Sequence, residues 1–132
     1  MGRFDTTVDA LYEPYIKPQE CGNHTQVRWA TIHNKAGVGL IIKGDTDFNF
    51  SALHFTAEDL TTTPMKHELQ RRKETILHID YRQTGIGSNS CGPELAGEYA
   101  FSEKEINFNF SMKPIWLENI PAVVEYRMRP TV

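Results

Sequence analysis

The sequence predicts an all-β fold, an antiparallel β-sandwich with one short helix, and three observations carry that prediction. Proline and glycine punctuate the chain at short intervals, with 9 glycines and 7 prolines among 132 residues. Between them, apolar and polar residues alternate with a period of two, which suits a half-buried strand better than a helix. Aromatic side chains occupy the alternating positions, as in Phe48-Asn49-Phe50-Ser51 and Ile106-Asn107-Phe108-Asn109-Phe110-Ser111-Met112. A chain of this length fits one domain, residues 1–132, able to bury roughly two-thirds of its unfolded surface.

The opening stretch, residues 11–18, contains Pro14 and Pro18, and each proline disfavours helix at the residue before it. It should run extended along a surface or pair only at an edge. Residues 27–33 and 38–43 read as a hairpin joined by Asn34-Lys35-Ala36-Gly37, where asparagine and glycine tolerate positive φ. After a Lys43-Gly44-Asp45 turn, Phe48 and Phe50 begin a further strand with an inward aromatic face. The one short helix should start at Thr56, whose hydroxyl can cap the amides that follow, with Glu58 and Asp59 at the positive end of the dipole. Residues 75–83 form the next strand, with Ile79 and Tyr81 among its apolar positions. The clearest strand is 106–112, where Ile106, Phe108, Phe110 and Met112 share a face that should be core. Residues 85–97 are glycine-rich and lack core periodicity, which makes them the best local candidate for function.

With 14 Lys and Arg against 17 Asp and Glu, the net charge of -3 gives no electrostatic reason to expect nucleic acid or an anionic membrane as partner. Arg71-Arg72-Lys73, followed at once by Glu74, reads as a solvated turn. Cys21 and Cys91 lack redox or zinc-ribbon spacing and are expected to be free thiols of a reducing, cytoplasmic compartment. The chain begins without an apolar signal region and carries no address of its own, and no run approaches the roughly 20 apolar residues that span a bilayer. The five histidines, at 24, 33, 54, 67 and 78, show no close metal-site spacing, so no metal and no cofactor is expected.

Three stretches carry a resemblance. Tyr12, Pro14, Tyr15, Pro18-Gln19-Glu20 and Gly22-Asn23-His24, followed by Val27-Arg28-Trp29, resemble the C-terminal domain of family 2 β-galactosidases. His54-Phe55-Thr56-Ala57-Glu58-Asp59-Leu60 fits the same pattern, and Gly85-Ile86-Gly87-Ser88-Asn89-Ser90-Cys91-Gly92-Pro93 looks like that domain's signature loop. All three occur in the family's order and together span about residues 2–114, leaving 115–132 as an unmatched tail. The resemblance implies the last part of a galactose-mutarotase-like supersandwich packed beside a catalytic (β/α)8 barrel, with further strands upstream of Met1.

That family hydrolyses terminal β-linked galactose with retention, using two barrel glutamates roughly 5 Å apart, and the resemblance places neither in this chain. The rest of the β-galactosidase chain is therefore the implied partner, with a galactoside as substrate and a homo-oligomer also compatible. The implied substrate-binding residues are Ser88, Asn89, Ser90 and Cys91, in a loop near the parent's active site. In some members a tryptophan of this loop stacks on the sugar. Cys91 stands at that position, and a thiol lacks the flat apolar face that stacking requires.

Other polar residues have structural readings beside functional ones. Glu20, Asn23 and His24 could meet a sugar hydroxyl, but more simply hydrogen-bond within a constrained turn. Arg28 suits an interface, Trp29 and Trp116 suit packing, and Asp80 lacks an identifiable acid/base partner. Three functions stay open: an accessory domain of a glycoside hydrolase, inactive alone; a carbohydrate-binding module, which needs a row of exposed aromatics; and a small subunit that complements a larger one.

Overall fold

The computed structural model describes residues 3–84 and 92–116. The fold is all-β, and among the described residues four strands form one sheet: β1 (His24–His33), β2 (Val38–Leu53), β3 (Ile76–Asp80) and β4 (Phe110–Trp116). β2 is hydrogen-bonded to each of the other three, in the order β1-β2-β3 with β4 also on β2. Two short helices accompany them, α1 (Val8–Leu11) and α2 (Ala57–Thr62), with one 3-10 turn at Gly97–Tyr99. The chain divides into two compact units, one of Met1–Thr25 and Asn49–Ile79, the other of Gln26–Phe48 and Asp80–Val132.

The hairpin forms as its turn residues dictate. Asn34 Oδ1 accepts from the amides of Ala36 and Val38, Gly37 N–H donates to the Asn34 carbonyl, and Gly37 takes a φ of 78°. This is the local Asx chemistry for which asparagine and glycine are suited. Just beyond, β1 and β2 approach so closely that a Cβ on Gly39 would lie 1.9 Å from the Ile32 carbonyl oxygen.

Two strand expectations are corrected. No turn interrupts residues 43–45; β2 runs unbroken from Val38 to Leu53. Gly44 stays in register opposite Phe110, and Asp45 N–H donates to the Asn109 carbonyl at 3.1 Å, so pairing carries the chain through the glycine. The last strand begins at Phe110 rather than at 106 and continues to Trp116, with Val38, Leu40, Ile42 and Gly44 opposite Trp116, Pro114, Met112 and Phe110. The expected core face of that strand is not core: Ile106 is 53% exposed, Phe110 42% and Met112 54%. Phe108 is half-buried. The alternation is real, but a single sheet buries a face only where another layer covers it.

Among the described residues of the Gln26–Phe48 and Asp80–Val132 unit, Ile41, Ile42, Phe48 and Ile115 are buried, with Trp29 packed on Ile41 and Ile115. Trp29 is thus a packed aromatic as expected, whereas Trp116 is 56% exposed and is not. In the other unit Ala52, Leu53 and Leu60 are buried.

The helix at Thr56 forms as the sequence implies, and with a full capping box. Thr56 Oγ1 accepts from Asp59 N–H at 3.1 Å, and Asp59 Oδ2 accepts from Thr56 N–H at 2.9 Å. Its other end is closed by a lysine from the opening stretch: Lys17 Nζ donates to the carbonyls of Leu60, Thr61 and Thr63 at 3.2, 2.7 and 2.6 Å. Those carbonyls are the ones a helix end leaves without partners, and a cation suits the negative end of the dipole. The second short helix, α1, was not foreseen; Thr7 caps it through Ala10 N–H. Arg72 donates to both oxygens of Asp59, with Nη2 at 2.8 Å from Oδ1. The Arg71-Arg72 pair is therefore not a merely solvated turn, since Arg71 also clasps Asp9, Nη2 lying 3.0 Å from Oδ1.

Two measurements check these elements. Gly39→Ala should lower stability in urea unfolding by about 3 kcal/mol or more, because the new methyl meets backbone rather than a movable side chain. Asp59 is held well below the usual carboxylate range, first by Arg72 and then by the Thr56 amide. Its folded value lies under its unfolded one, so the stability it contributes is complete above the ordinary carboxylate pKa and drains away as pH falls below it. Asp59→Asn should accordingly destabilise the chain at pH 7, with the gap from wild type closing at pH values below about 4. An equal gap at both ends of that range would show that Asp59 acts by shape alone.

Candidate functional site

The expected site residues Ser88, Asn89, Ser90 and Cys91 lie outside the described residues, and the structure neither assembles nor disperses them. What it describes is the chain on either side. β3 ends at Asp80, and the next four residues, Tyr81 to Thr84, lead into that stretch. On the far side, the 3-10 turn at Gly97–Tyr99 brings the backbone round to Phe101 and Glu103.

Glu103 ties the two sides together. Its Oε2 accepts from the Tyr81 hydroxyl and its Oε1 from Arg82 Nη1, each at 2.8 Å. The Phe101 amide donates to Thr84 Oγ1 at 3.3 Å, a second link between the same two segments. The Arg82 guanidinium also sits 5.2 Å from the Tyr81 ring centroid, a cation–π arrangement. Rings continue the contact: Tyr81 meets Phe101 edge-on at 6.3 Å and Phe108 at 5.8 Å, and Phe108 meets Phe110 at 5.5 Å. Hydrogen bonding to the Glu103 carboxylate, with some desolvation, raises the Tyr81 hydroxyl above its ordinary value. Asp80, read from the sequence as an acid/base residue without a partner, accepts from Gln83 Nε2 at 3.3 Å. Glu103 was missed in the sequence because no spacing or motif links residue 103 to 81 and 82.

In the N-terminal motif the His24 side chain meets the backbone of its own turn. Gly22 holds a φ of 71° where a Cβ would lie 2.6 Å from the Leu11 carbonyl oxygen, and His24 Nδ1 lies 2.9 Å from the Gly22 carbonyl. Cys21 is a free thiol whose Sγ accepts from Glu13 N–H at 3.3 Å. Burial, and next the Cys21 sulfur, raise the neighbouring Tyr12 hydroxyl, whose ring lies 4.9 Å from that of Phe55. Gln26 takes a φ of 56°, a left-handed conformation uncommon for a residue other than glycine, asparagine or aspartate. Arg28, expected at an interface, pairs with Asp47 at 3.3 Å.

A histidine–carboxylate pair also occurs. His54 Nε2 lies 3.7 Å from Asp9 Oδ1, and His54 Nδ1 donates to the Glu74 carbonyl at 2.8 Å. Asp9 is already engaged by Arg71 through two nitrogens, and that bidentate pair fastens α1. Among the described residues no group of three or more His, Cys, Asp or Glu converges to hold a metal, and no helix is long and apolar enough to cross a membrane. Glu103→Gln should bring the Tyr81 ionisation back toward about 10 in an ultraviolet pH titration, with Tyr81→Phe identifying the band. A titration indifferent to Glu103→Gln would overturn the Tyr81–Glu103 hydrogen bond as the cause of the shift.

Comparison with known proteins adds family membership. The family profile described as "Beta galactosidase small chain" matches residues 1–112. The chain is 40% identical over 110 residues to a β-galactosidase of Staphylococcus xylosus, covering 83% of this chain and 11% of that protein. It is 35% identical over 112 residues to a β-galactosidase of Actinobacillus pleuropneumoniae, covering 85% of this chain and 11% of the other. A β-galactosidase of Arthrobacter sp. (strain B7) is 31% identical over 105 residues, covering 76% and 10%. The chain thus spans about a tenth of the length of these relatives. With its profile matched along most of its length, the chain belongs to the β-galactosidase small-chain family.

Proposed function

We propose that this chain acts as the C-terminal sandwich portion of a family 2 β-galactosidase, completing the fold and the edge of the sugar site while being inactive alone. In this reading the rest of the β-galactosidase polypeptide supplies the barrel and the two glutamates that cleave terminal β-D-galactose with retention. Residues Ser88 to Cys91 lie at the edge of that site, and Glu103, Tyr81 and Arg82 hold the chain on either side of them. The portion carries no cofactor of its own and works in the cytoplasm.

The observation that carries the reading is the proportion of the match: more than three-quarters of this chain aligns, yet it amounts to about a tenth of each relative. A second observation agrees with it. Asp59, Asp9 and Glu103 are engaged in structural pairs, with Arg72, with Arg71, and with Tyr81 and Arg82 respectively. A retaining glycosidase needs instead two facing carboxylates, one of them free to attack.

The test is complementation with a β-galactosidase truncated to lack the matching stretch, assayed on an aryl galactoside. The chain alone should give no turnover, and mixing should restore it. Deleting residues 87–92 should cost about 100-fold or more, the penalty of a misplaced site edge, while Cys91→Ala should cost far less. Hydrolysis by the purified chain alone would overturn the assignment.

A further inference from the structure

His54, the residue after β2, has its imidazole set between two acceptors. Its backbone carbonyl accepts from Arg72 N–H at 3.0 Å, and its Nδ1 lies 2.8 Å from the Glu74 carbonyl oxygen. A carbonyl can only accept, so Nδ1 carries the one hydrogen of the neutral ring. Nε2 then turns a lone pair toward Asp9 Oδ1, 3.7 Å away and beyond hydrogen-bond reach. The His54 side chain is 12% exposed, so most of the ring lies away from water. A neutral imidazole thus satisfies one of the two acceptors, and a protonated one engages both.

We propose that His54 and Asp9 form a proton-dependent catch, in which a second proton on the His54 ring tightens α1 onto the end of β2. The catch goes beyond the functional reading above and does not depend on it. The charges around the pair fix its sign and its size. From the segment after α2, Arg71 reaches the same Asp9 through Nε at 3.1 Å and Nη2 at 3.0 Å, and a guanidinium keeps its charge throughout. Arg71 therefore supplies a constant hold, and its charge opposes a second cation beside it, so the gain from His54 is modest. The neighbouring Arg72 is committed to Asp59, and the Glu74 carboxylate acts on Arg72. Tyr12, just past α1, has its hydroxyl raised by burial and stays protonated. Histidine is the one side-chain type in this set that ordinarily changes charge between about pH 5 and pH 8. The catch is accordingly tighter at the acid end of that interval and looser at the alkaline end. Because α1 leads toward Lys17, which closes α2, the catch acts on one end of a stretch already fixed at the other.

The test is amide hydrogen exchange in the full 132-residue chain at about pH 5 and about pH 8. Protection factors, each taken against the unstructured rate at the same pH, remove the intrinsic pH dependence of exchange. The reporter is the Ala10 amide, which donates to Thr7 within α1, and the Leu60 amide of α2 serves as internal control. Relative to Leu60, protection at Ala10 should be about twofold to fivefold greater at the lower pH, the range of a partly exposed ion pair. His54→Asn keeps a donor where Nδ1 stood and removes Nε2, so it should abolish the rise. Asp9→Asn should abolish it from the other side, whereas Arg71→Gln should weaken protection at both pH values and leave the rise in place. Flat protection at Ala10 in wild type would overturn the catch, and that comparison stands even where a variant fails to fold. A rise that survives both His54→Asn and Asp9→Asn, or one matched at Leu60, would overturn it as well, by assigning the effect to other groups or to the whole chain.

Discussion

The sheet depends on one strand. β2 is 16 residues long, pairs with each of the other three described strands, and contributes buried side chains to both compact units. Its continuity rests on backbone geometry more than on side-chain attraction. Gly39 permits a backbone approach that any Cβ would block, and Gly44 holds register where a side chain would strike the Thr46 carbonyl. A strand shared so widely fixes the register of its partners, since a slip by one residue would turn every neighbouring side chain to the wrong face.

Around that strand, ionisable groups work as fasteners. Arg72 and Thr56 hold Asp59 at the start of α2, Lys17 closes the other end of that helix, and Arg71 secures α1 through Asp9. Apart from the local Thr56–Asp59 cap, these contacts span 13 to 62 residues of sequence, so they join segments whose own apolar content is small. Most are partly exposed, where single ion pairs contribute little, and their value lies in defining which segments meet.

Apolar surface is distributed unevenly over the sheet. A free-standing domain turns its apolar face inward and its lysines outward, whereas the β2–β4 ribbon leaves the face with Phe110, Met112 and Trp116 open.

Local chemistry was legible in the sequence and long-range pairing was not. The Asn34 to Gly37 turn, the Thr56 cap and the alternation around Phe110 follow from residue types and short spacings, because turns, caps and strand faces are set within a few residues. The family, too, could be read from motifs at Tyr12 to Trp29, 54–60 and 85–93. Tertiary structure alone decided that residues 43–45 pair instead of turning, since Asp45 finds its partner at Asn109. It decided that Glu103 meets Tyr81 and Arg82. It also decided that an apolar strand face faces outward. An apolar face records only that something must cover it, and what covers it depends on which segments fold against it.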